Sequence, residues 1–212
     1  MTTKINTYYH FYKINDYFKV SRFINDTLTS NTYVIEYKND VIIIDPGERK
    51  NKHVITWLLS NNKNPTYCLI THEHFDHNIG YELIANKFNI KTFCSLETKE
   101  ALKNSRKNLS LYHAIPFSYE VKNYTFEPPY FIDVIKTPGH SKGSICFLID
   151  HCLFSGDTII DKKHLVSKLP GGNKTELNHS ISLIMKLADN LQNLKIFPGH
   201  GDPFDFDSFL KN

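Results

Sequence analysis

The sequence predicts an α/β fold in which two β-sheets pack together and helices cover their outer faces. Short apolar runs that end at turn residues alternate with longer stretches whose apolar residues recur at helical spacing, and this order occurs in both halves of the chain. The chain has 212 residues, 41% of them hydrophobic. This is enough to form one sizeable hydrophobic core but too little for two separate domains. No linker-like stretch divides it, so we expect a single domain over residues 1–212.

The first half begins with two apolar runs joined by a turn at 38–40, which is typical of a β-hairpin. Residues 50–62 carry apolar side chains at 54, 55, 58 and 59, the spacing of an amphipathic helix. The elements predicted in this half are strands at 32–37, 41–45, 66–71 and 91–95 and helices at 50–62, 80–89 and 96–105.

The second half repeats this order of strands and helices. It predicts strands at 131–137, 144–150, 152–156 and 195–199 and one long helix at 175–191. Residues 105–130 are mixed in character, and a strand, a substrate-binding loop or both remain open for them. Strands followed by helices, twice over, indicate two packed sheets with helices outside.

Composition argues against several classes of partner. The formal net charge is +3 with scattered basic residues, so we expect neither a nucleic-acid nor a membrane partner. Residues 1–18 lack the apolar segment of a secretory signal, and no run reaches the ~18 apolar residues of a spanning helix. The four cysteines lie in apolar runs without CxxC spacing, which predicts buried thiols in a reducing cytoplasm. They are Cys68, Cys94, Cys146 and Cys152. A disulfide between two of them remains an alternative.

The run THEHFDHNIG at residues 71–80 concentrates three histidines and two acids. Side chains two residues apart in an extended segment point the same way, so His72 and His74 should face one side after the 66–71 strand. Asp76 and His77 come where the next helix would begin, and they can point back at a neighbouring position. Imidazole and carboxylate are the usual ligands of zinc and similar ions, so this loop predicts a site for two adjacent cations.

Three later segments offer the ligands that such a site still needs. Each ends a predicted strand, contains a glycine and presents one ligand type on the following loop: His140 in TPGH, Asp157 in FSGDT and His200 in FPGHG. Functional residues favour loops held by a rigid scaffold. Taken singly, each of these is more often a surface or packed residue, and Asp76 is explained equally well as a helix cap. Together, the seven residues are better explained by metal binding.

The other histidines lack this context, and we interpret them as surface or packed residues. They are His10, His53, His113, His151, His164 and His179. His113 and His164 lie in irregular stretches and stay open as residues that line a pocket.

In this order, the residues resemble the metallo-β-lactamase-fold superfamily over about residues 30–203. The resemblance rests on the HxHxDH run at 72–77, on the later His140, Asp157 and His200, and on Asp45 in the run IIIDPG. It implies an αββα sandwich, with two mixed β-sheets flanked by helices and a two-metal site at one edge of the sheets.

The resemblance also implies a role for each ligand. His72, His74 and His140 would hold one ion, Asp76, His77 and His200 the second, and Asp157 would bridge them. Asp45 would support the ligands without binding metal itself. A bridging carboxylate is absent from the penicillin-degrading members, which favours the hydrolase branch. The implied cofactor is two divalent metal ions, with Zn²⁺ first and Fe or Mn as alternatives.

Among these hydrolases, the chain most resembles glyoxalase II (hydroxyacylglutathione hydrolase) and its small single-domain relatives, through the segments 137–144, 155–159, 169–172 and 198–203. It departs from them in two ways. Twelve residues after His200 leave no room for a C-terminal glutathione-binding domain, and residues 165–168 read LVSK where the small relatives have GRTD. Glutathione thioesters are therefore uncertain as the substrate. Lys142 and Lys168 are added cations, interpreted as anchors for an anionic substrate or, more plainly, as solvated lysines.

The expected function is hydrolysis of a small ester or thioester by a metal-bridging hydroxide. Asp76 is the candidate catalytic residue, since it can orient the hydroxide and pass a proton. The alternatives are a lactone hydrolase, a metal-dependent nuclease, a non-enzymatic binding protein and a sulfur (persulfide) dioxygenase with one iron on His72, His140 and Asp157. The expected partner is a small-molecule substrate, and nothing in the sequence predicts an oligomeric state.

Overall fold

The computed structural model describes residues 9–50, 52–160, 165–191 and 193–211, and its strands form two mixed sheets. The strands are β1 (Tyr9–Lys13), β2 (Phe18–Ile24), β3 (Asn31–Tyr37), β4 (Asp40–Ile44), β5 (Tyr67–Leu69), β6 (Lys91–Phe93), β7 (Asp133–Lys136), β8 (Ile145–Ile149), β9 (Cys152–Gly156), β10 (Lys195–Pro198) and β11 (Phe204–Asp205). The helices are α1 (Lys52–Ser60), α2 (Tyr81–Lys87), α3 (Leu96–Ala101), α4 (Lys174–Ala188) and α5 (Phe206–Lys211), with 3-10 turns at Phe75–His77 and Ser110–His113.

The first sheet has the order β1-β2-β3-β4-β5-β6. Its first four strands pair antiparallel through short connections, whereas β4, β5 and β6 run parallel. Parallel neighbours need a crossover connection, and α1 and α2 provide the two that this sheet requires. The carboxyl ends of β4 and β5 therefore meet at one edge of the sheet.

The second sheet has the order β11-β10-β9-β8-β7. β9 and β10 are parallel and are connected through α4, while the other pairs are antiparallel. Both sheets are thus mixed, as predicted.

Three apolar layers give the αββα order. The layer between the sheets takes alternate residues of each strand, such as Ile35 and Ile42 from the first sheet and Phe147 and Phe154 from the second. In the outer layers the other strand residues pack with helix residues. Val34 and Ile43 share a layer with Val54 and Leu58 of α1, and Cys146 and Leu153 share one with Ile184 of α4 and Phe206 of α5. Each fully buried aliphatic or aromatic side chain contributes roughly 1.5–3 kcal/mol relative to an exposed one.

Side-chain caps fix the start of two helices. Ser95 Oγ accepts a hydrogen bond from Thr98 N at the start of α3, and Asn173 Oδ1 accepts from two backbone N–H groups of α4. The predicted helix at 96–105 is shorter in the structure and ends at Ala101. None of the helices in the described part of the chain is long and apolar enough to cross a bilayer.

The four cysteines are buried and form no disulfide, which confirms the prediction of buried thiols. Burial raises the pKa of Cys94 and of Cys152 to about 12, so both thiols are protonated and unreactive at neutral pH.

The structure differs from the sequence prediction mainly in two places. Strands β1 and β2 precede the first predicted strand and extend the first sheet. Between residues 105 and 130 the chain forms a loop with one 3-10 turn, and it pairs with the first sheet through the isolated bridge between Thr92 and Tyr124. A loop is therefore observed in this stretch and the predicted strand is not.

Candidate metal centre

Asp45 and Thr71 tie the histidine-rich loop to the first sheet. They lie just past the carboxyl ends of β4 and β5, close to each other because these strands are parallel. Asp45 Oδ1 accepts a hydrogen bond from Thr71 N (2.8 Å), and Asp45 Oδ2 accepts one from Thr71 Oγ1 (2.6 Å). Asp45 has a φ of 52°, a left-handed conformation that aspartate tolerates better than most residues. The first residue of the loop is therefore fixed in position.

Three buried imidazoles form the first group of the site. His72 and His74 come from this loop, and His140 comes from the turn after β7. His140 Nε2 lies 2.9 Å from His74 Nδ1, and one nitrogen of each of the three rings lies within 4.8 Å of the others. Such close nitrogen atoms can share one cation, since zinc–nitrogen bonds are about 2.0–2.1 Å long.

Two histidines and an aspartate form the second group. Asp76 and His77 lie in the 3-10 turn that follows His74, and His200 lies in the loop after β10. His77 Nε2 is 3.3 Å from His200 Nε2, and Asp76 Oδ2 is 3.2 Å from His200 Nε2 and 3.5 Å from His77 Nε2. These three side chains therefore converge on one point.

Asp157 lies between the two groups. It directly follows β9, and its Oδ2 is 3.5 Å from His140 Nε2 in the first group. Its Oδ1 is 3.5 Å from His77 Nε2 in the second group. One carboxylate thus contacts both groups, as a bridging ligand requires. The structure brings together all seven residues that the sequence predicted for the site.

Hydrogen bonds on the outer side of the rings determine which nitrogen faces the site. The Thr71 hydroxyl donates to Asp45, so its oxygen accepts from His72 Nδ1, 3.0 Å away. His140 Nδ1 donates to the carbonyl oxygen of Val166 (2.9 Å). A neutral imidazole protonated on Nδ1 has its lone pair on Nε2. Nε2 of His72 and of His140 is therefore available as a ligand atom.

Asp45 also contacts the second group, where His77 Nδ1 donates to its Oδ2 (3.2 Å). Asp45, His72 and His77 have ligand atoms within 4.8 Å of one another, so the distances alone would also allow these three residues to share a metal ion. Both oxygens of Asp45 already accept hydrogen bonds from Thr71 and His77, which favours an orienting role over a ligand role.

A bound metal ion would supply a partner for two buried polar atoms of the site. His72 Nε2 and Asp157 Oδ1 are buried and have no hydrogen-bond partner in the described part of the chain. An unsatisfied buried polar atom costs about 1–3 kcal/mol. Imidazole nitrogen and carboxylate oxygen are the donor set that divalent transition metals prefer. The residues present therefore suit the metal ions that the histidine-rich run predicts.

Two imidazoles of the first group, His74 and His72, are neutral. Burial, followed by the nearby His140 ring, lowers the pKa of His74 to about 3. Burial and the His77 ring lower the pKa of His72 well below its ordinary value. An imidazole must be neutral to bind a metal, so both rings are in the state that coordination requires at neutral pH.

The second group concentrates negative charge. Burial alone would raise the pKa of Asp157, but the neighbouring His77 outweighs it and holds this pKa well below its ordinary value. Conversely, burial would lower the pKa of His77, and the carboxylates of Asp76 and Asp157 raise it well above the ordinary value instead. Asp157 is therefore ionised at neutral pH, and its charge attracts a proton to His77 or a cation to the site.

A cavity of about 710 Å³ is lined by residues close in sequence to the candidate ligands and by none of the seven ligands themselves. Its wall includes Glu73, which lies between two of the clustered histidines, and Lys142, two residues after His140. Arg106, Lys107 and Tyr112 contribute from the loop after α3. Neither Arg106, Lys107 nor Tyr112 was singled out from the sequence, because their stretch carries no motif.

The structure separates the remaining candidates from this cavity. Lys168 is exposed and is not among the residues that line it. His113 packs its ring against Phe75, with 4.7 Å between the ring centroids, and also lies outside the lining. His164 falls outside the described residues.

Glu73 is a buried acid whose position the sequence run already contained. As the residue between His72 and His74 it points to the opposite face, where its Oε2 accepts hydrogen bonds from Ser141 Oγ (2.8 Å) and Thr98 Oγ1 (3.3 Å). It thereby links the histidine run to the loop that carries His140.

The fold and the site define a metallo-hydrolase of the α/β class built from two mixed sheets. Residues 25–200 match the model of the metallo-beta-lactamase superfamily, and the chain belongs to that family. It is 33% identical over 189 residues to a probable metallo-hydrolase of Methanocaldococcus jannaschii, covering 82% of this chain and 88% of the relative.

Matches of lower sequence identity include an enzyme with a named substrate and two solved structures. A hydroxyacylglutathione hydrolase of Shewanella halifaxensis is 28% identical over 166 residues, which cover 78% of this chain and 58% of that protein. Two solved structures share the fold. The B3 metallo-beta-lactamase BLEG-1 has a TM-score of 0.81 at 24% identity (91% of this chain, 97% of that one), and TTHA1623 has a TM-score of 0.74 at 20% identity (88% and 94%).

Proposed function

We propose that the protein is a dinuclear metal-dependent hydrolase of a small ester or thioester. The observation that carries this proposal is the position of Asp157, which contacts His140 in one ligand group and His77 in the other. A carboxylate so placed is suited to hold two ions close together. The likeness to hydroxyacylglutathione hydrolases, which act on thioesters by their name, supports this class of substrate.

Each group would hold one ion. His72, His74 and His140 would bind the first ion, Asp76, His77 and His200 the second, and Asp157 both. Bound there, two divalent ions would supply an activated water and polarise the substrate carbonyl. Zinc, iron and manganese all suit these donors, and the related TTHA1623 has been crystallised in a di-iron-bound form.

Asp76 is the residue that we assign to proton transfer. Burial would raise its pKa, but His77 and the hydrogen bond from His200 lower it below its ordinary value, so the carboxylate is ionised at neutral pH. Its backbone carbonyl accepts a hydrogen bond from Ser30 Oγ (2.6 Å), which fixes the turn. Asp76 would orient the attacking water, accept its proton and pass that proton to the leaving group.

The cavity lined by Glu73 and Lys142 is the candidate site for the rest of the substrate. It combines apolar surface from Leu96 and Tyr112 with charged side chains of both signs, three cations and three acids. These are Arg106, Lys107, Lys142, Glu73, Glu97 and Glu100. A substrate with an apolar part suits such a lining, and Lys142 is the cation nearest in sequence to a candidate ligand, His140. Lys142 is therefore proposed as a substrate contact, whereas the position of Lys168 outside the lining favours a solvated residue.

The first experiment is metal analysis of protein purified without added metal or chelator, followed by a screen of thioesters, esters and lactones. We expect about two ions per chain, loss of hydrolysis on chelation and recovery with zinc or manganese. One iron per chain together with oxygen uptake in the presence of a persulfide would contradict the proposal and indicate the dioxygenase. Hydrolysis of lactones, with no activity on thioesters or open-chain esters, would indicate the lactone hydrolase instead.

Changing Lys142 to methionine should weaken binding of anionic substrates. The side chain is exposed, so its charge is screened, and we expect KM to rise by up to about fivefold with kcat nearly unchanged. A neutral substrate of the same acyl group should show no change. Lys168→Met is the matched control, because it removes the same charge outside the cavity. Equal effects of the two substitutions would show that Lys142 does not contact the substrate.

A further inference from the structure

The loop that carries His200 needs support beyond its own packing. The His200 side chain is 23% exposed, whereas those of Asp76 and His77 in the same group are 9% or less. Glycines on both sides, Gly199 and Gly201, give the backbone many accessible conformations. Contacts from elsewhere in the fold must therefore fix the direction of this imidazole.

Strand β3 of the opposite sheet supplies several of these contacts. Tyr33 Oη donates to the carbonyl oxygen of Pro198 (2.6 Å), to which Asn31 Nδ2 also donates (2.9 Å). Asn31 N donates to the Gly199 carbonyl (2.7 Å), and Asn31 Nδ2 donates to the Gly201 carbonyl (2.8 Å). The backbone is thus held both before and after His200.

Arg22 in β2 holds the far side of the same loop. Its Nη1 donates to the Gly201 carbonyl (2.8 Å) and pairs with Asp202 Oδ1 (2.7 Å). Alternation along β2 places Arg22 in the row of Phe18 and Val20, which faces the layer between the sheets. The Arg22 side chain is 1% exposed, so a guanidinium occupies a position where this strand otherwise has apolar residues.

Such a residue is unfavourable for the fold itself. Burying a charge is costly, and Arg22 Nε has no hydrogen-bond partner in the described part of the chain. Buried ion pairs often add little to stability, and apolar residues of similar size frequently replace them without loss. If this position served only the packing of the fold, a methionine side chain would serve equally well.

We propose that Arg22 is a positioning residue for the second metal ion, acting by holding the 198–202 loop so that His200 faces Asp76 and His77. This inference rests on the two-ion site of the proposed function. Arg22 itself binds no metal, and it acts through the carbonyl of Gly201 and the carboxylate of Asp202. Residues that orient a ligand from behind typically change metal affinity 10- to 100-fold when they are lost.

The test is zinc binding by equilibrium dialysis to the metal-depleted full chain, with Arg22→Met compared to wild type. We expect the dissociation constant of one ion to rise by about tenfold or more and that of the other to stay within about twofold. Arg22→Lys, which keeps the charge and a donor, should recover part of the lost affinity. Val20→Ala is the control, since it weakens core packing in the same strand without touching the loop.

A second variant keeps the inference testable if Arg22→Met does not fold. Asp202 is 89% exposed, so Asp202→Asn should leave the fold unchanged and weaken the same single ion by a smaller factor. Wild-type affinity for both ions in both variants would overturn the positioning role and leave the two-ion site standing. One ion per wild-type chain would overturn the two-ion site, and the positioning role with it. An equal loss in Val20→Ala would show that general stability is responsible.

Discussion

Asp157→Asn is expected to lower turnover by more than about a hundredfold while the chain still folds. Asparagine has nearly the same size but no charge, and Asp157 is the carboxylate that contacts both ligand groups. Loss of a residue that merely orients a ligand costs about 10- to 100-fold, and loss of a bridging ligand should cost more. The measurements are kcat on the best substrate of the screen, metal ions per chain and circular dichroism.

Asp133→Asn is the matched control for this prediction. Asp133 is exposed at the start of β7 in the same sheet, so the same chemical change there should leave turnover and metal content unaltered. An Asp157→Asn protein that keeps two ions per chain and wild-type turnover would show that Asp157 is not a ligand.

Gly199→Ala should abolish metal binding at both groups. A Cβ at this position would overlap Asp157 Oδ1 and would lie 2.7 Å from His77 Cε1, so both side chains would have to move. Both side chains lie where the two groups meet, so a shift of either one displaces a candidate ligand. We expect less than one ion per chain by metal analysis and no measurable hydrolysis.

Gly201→Ala tests whether this effect comes from the site or from the loop. Gly201 has a φ of 78°, and a Cβ there would meet no atom within 4 Å. Alanine would therefore cost about 1–2 kcal/mol of backbone strain without a clash. Metal content and turnover should stay near wild type at a somewhat lower melting temperature. Normal metal binding by Gly199→Ala would contradict the packing described here.

The convergence of the candidate ligands was predictable, because the sequence signal of each one is local to its own strand and loop. His140, Asp157 and His200 each follow a short apolar strand and a turn residue, and strands of a mixed sheet bring such loops to a common edge. The histidine run at 72–77 adds the period-2 signal of an extended chain. Burial of the site and the hydrogen bonds behind each ring depend on both sheets and could not be deduced from these segments.

Strands β1 and β2 were missed for a physical reason. β1 is mostly exposed and carries His10 and Lys13, so it lacks an apolar run. β2 interrupts its inward row with Arg22, a charged residue at a position where the binary pattern expects an apolar one. Sequence rules tend to fail where a functional requirement overrides the pattern, and Arg22 is proposed to be such a residue.

The cavity that we propose for the substrate was the least predictable part of the structure. It is formed by the loop after α3 together with residues near 142 and 170, and these segments are far apart in sequence. Lys142 and Lys168 carry the same charge and occur in similar contexts, yet only the former lines the cavity. The folding of the loops against α3 determines which of the two lysines lines the cavity.

The sequence separation of the clustered side chains has a consequence for the order of assembly. His74 and His140 are 66 residues apart, and His77 and His200 are 123 apart. Closing such long loops early in folding is entropically costly, so contacts of this kind form late. Metal capture should therefore follow the docking of the two sheets, and the bound ions would act as cross-links that slow unfolding more than they speed folding. A folding intermediate in which β10 has not yet paired with β9 would lack His200, one of the three residues of the second group.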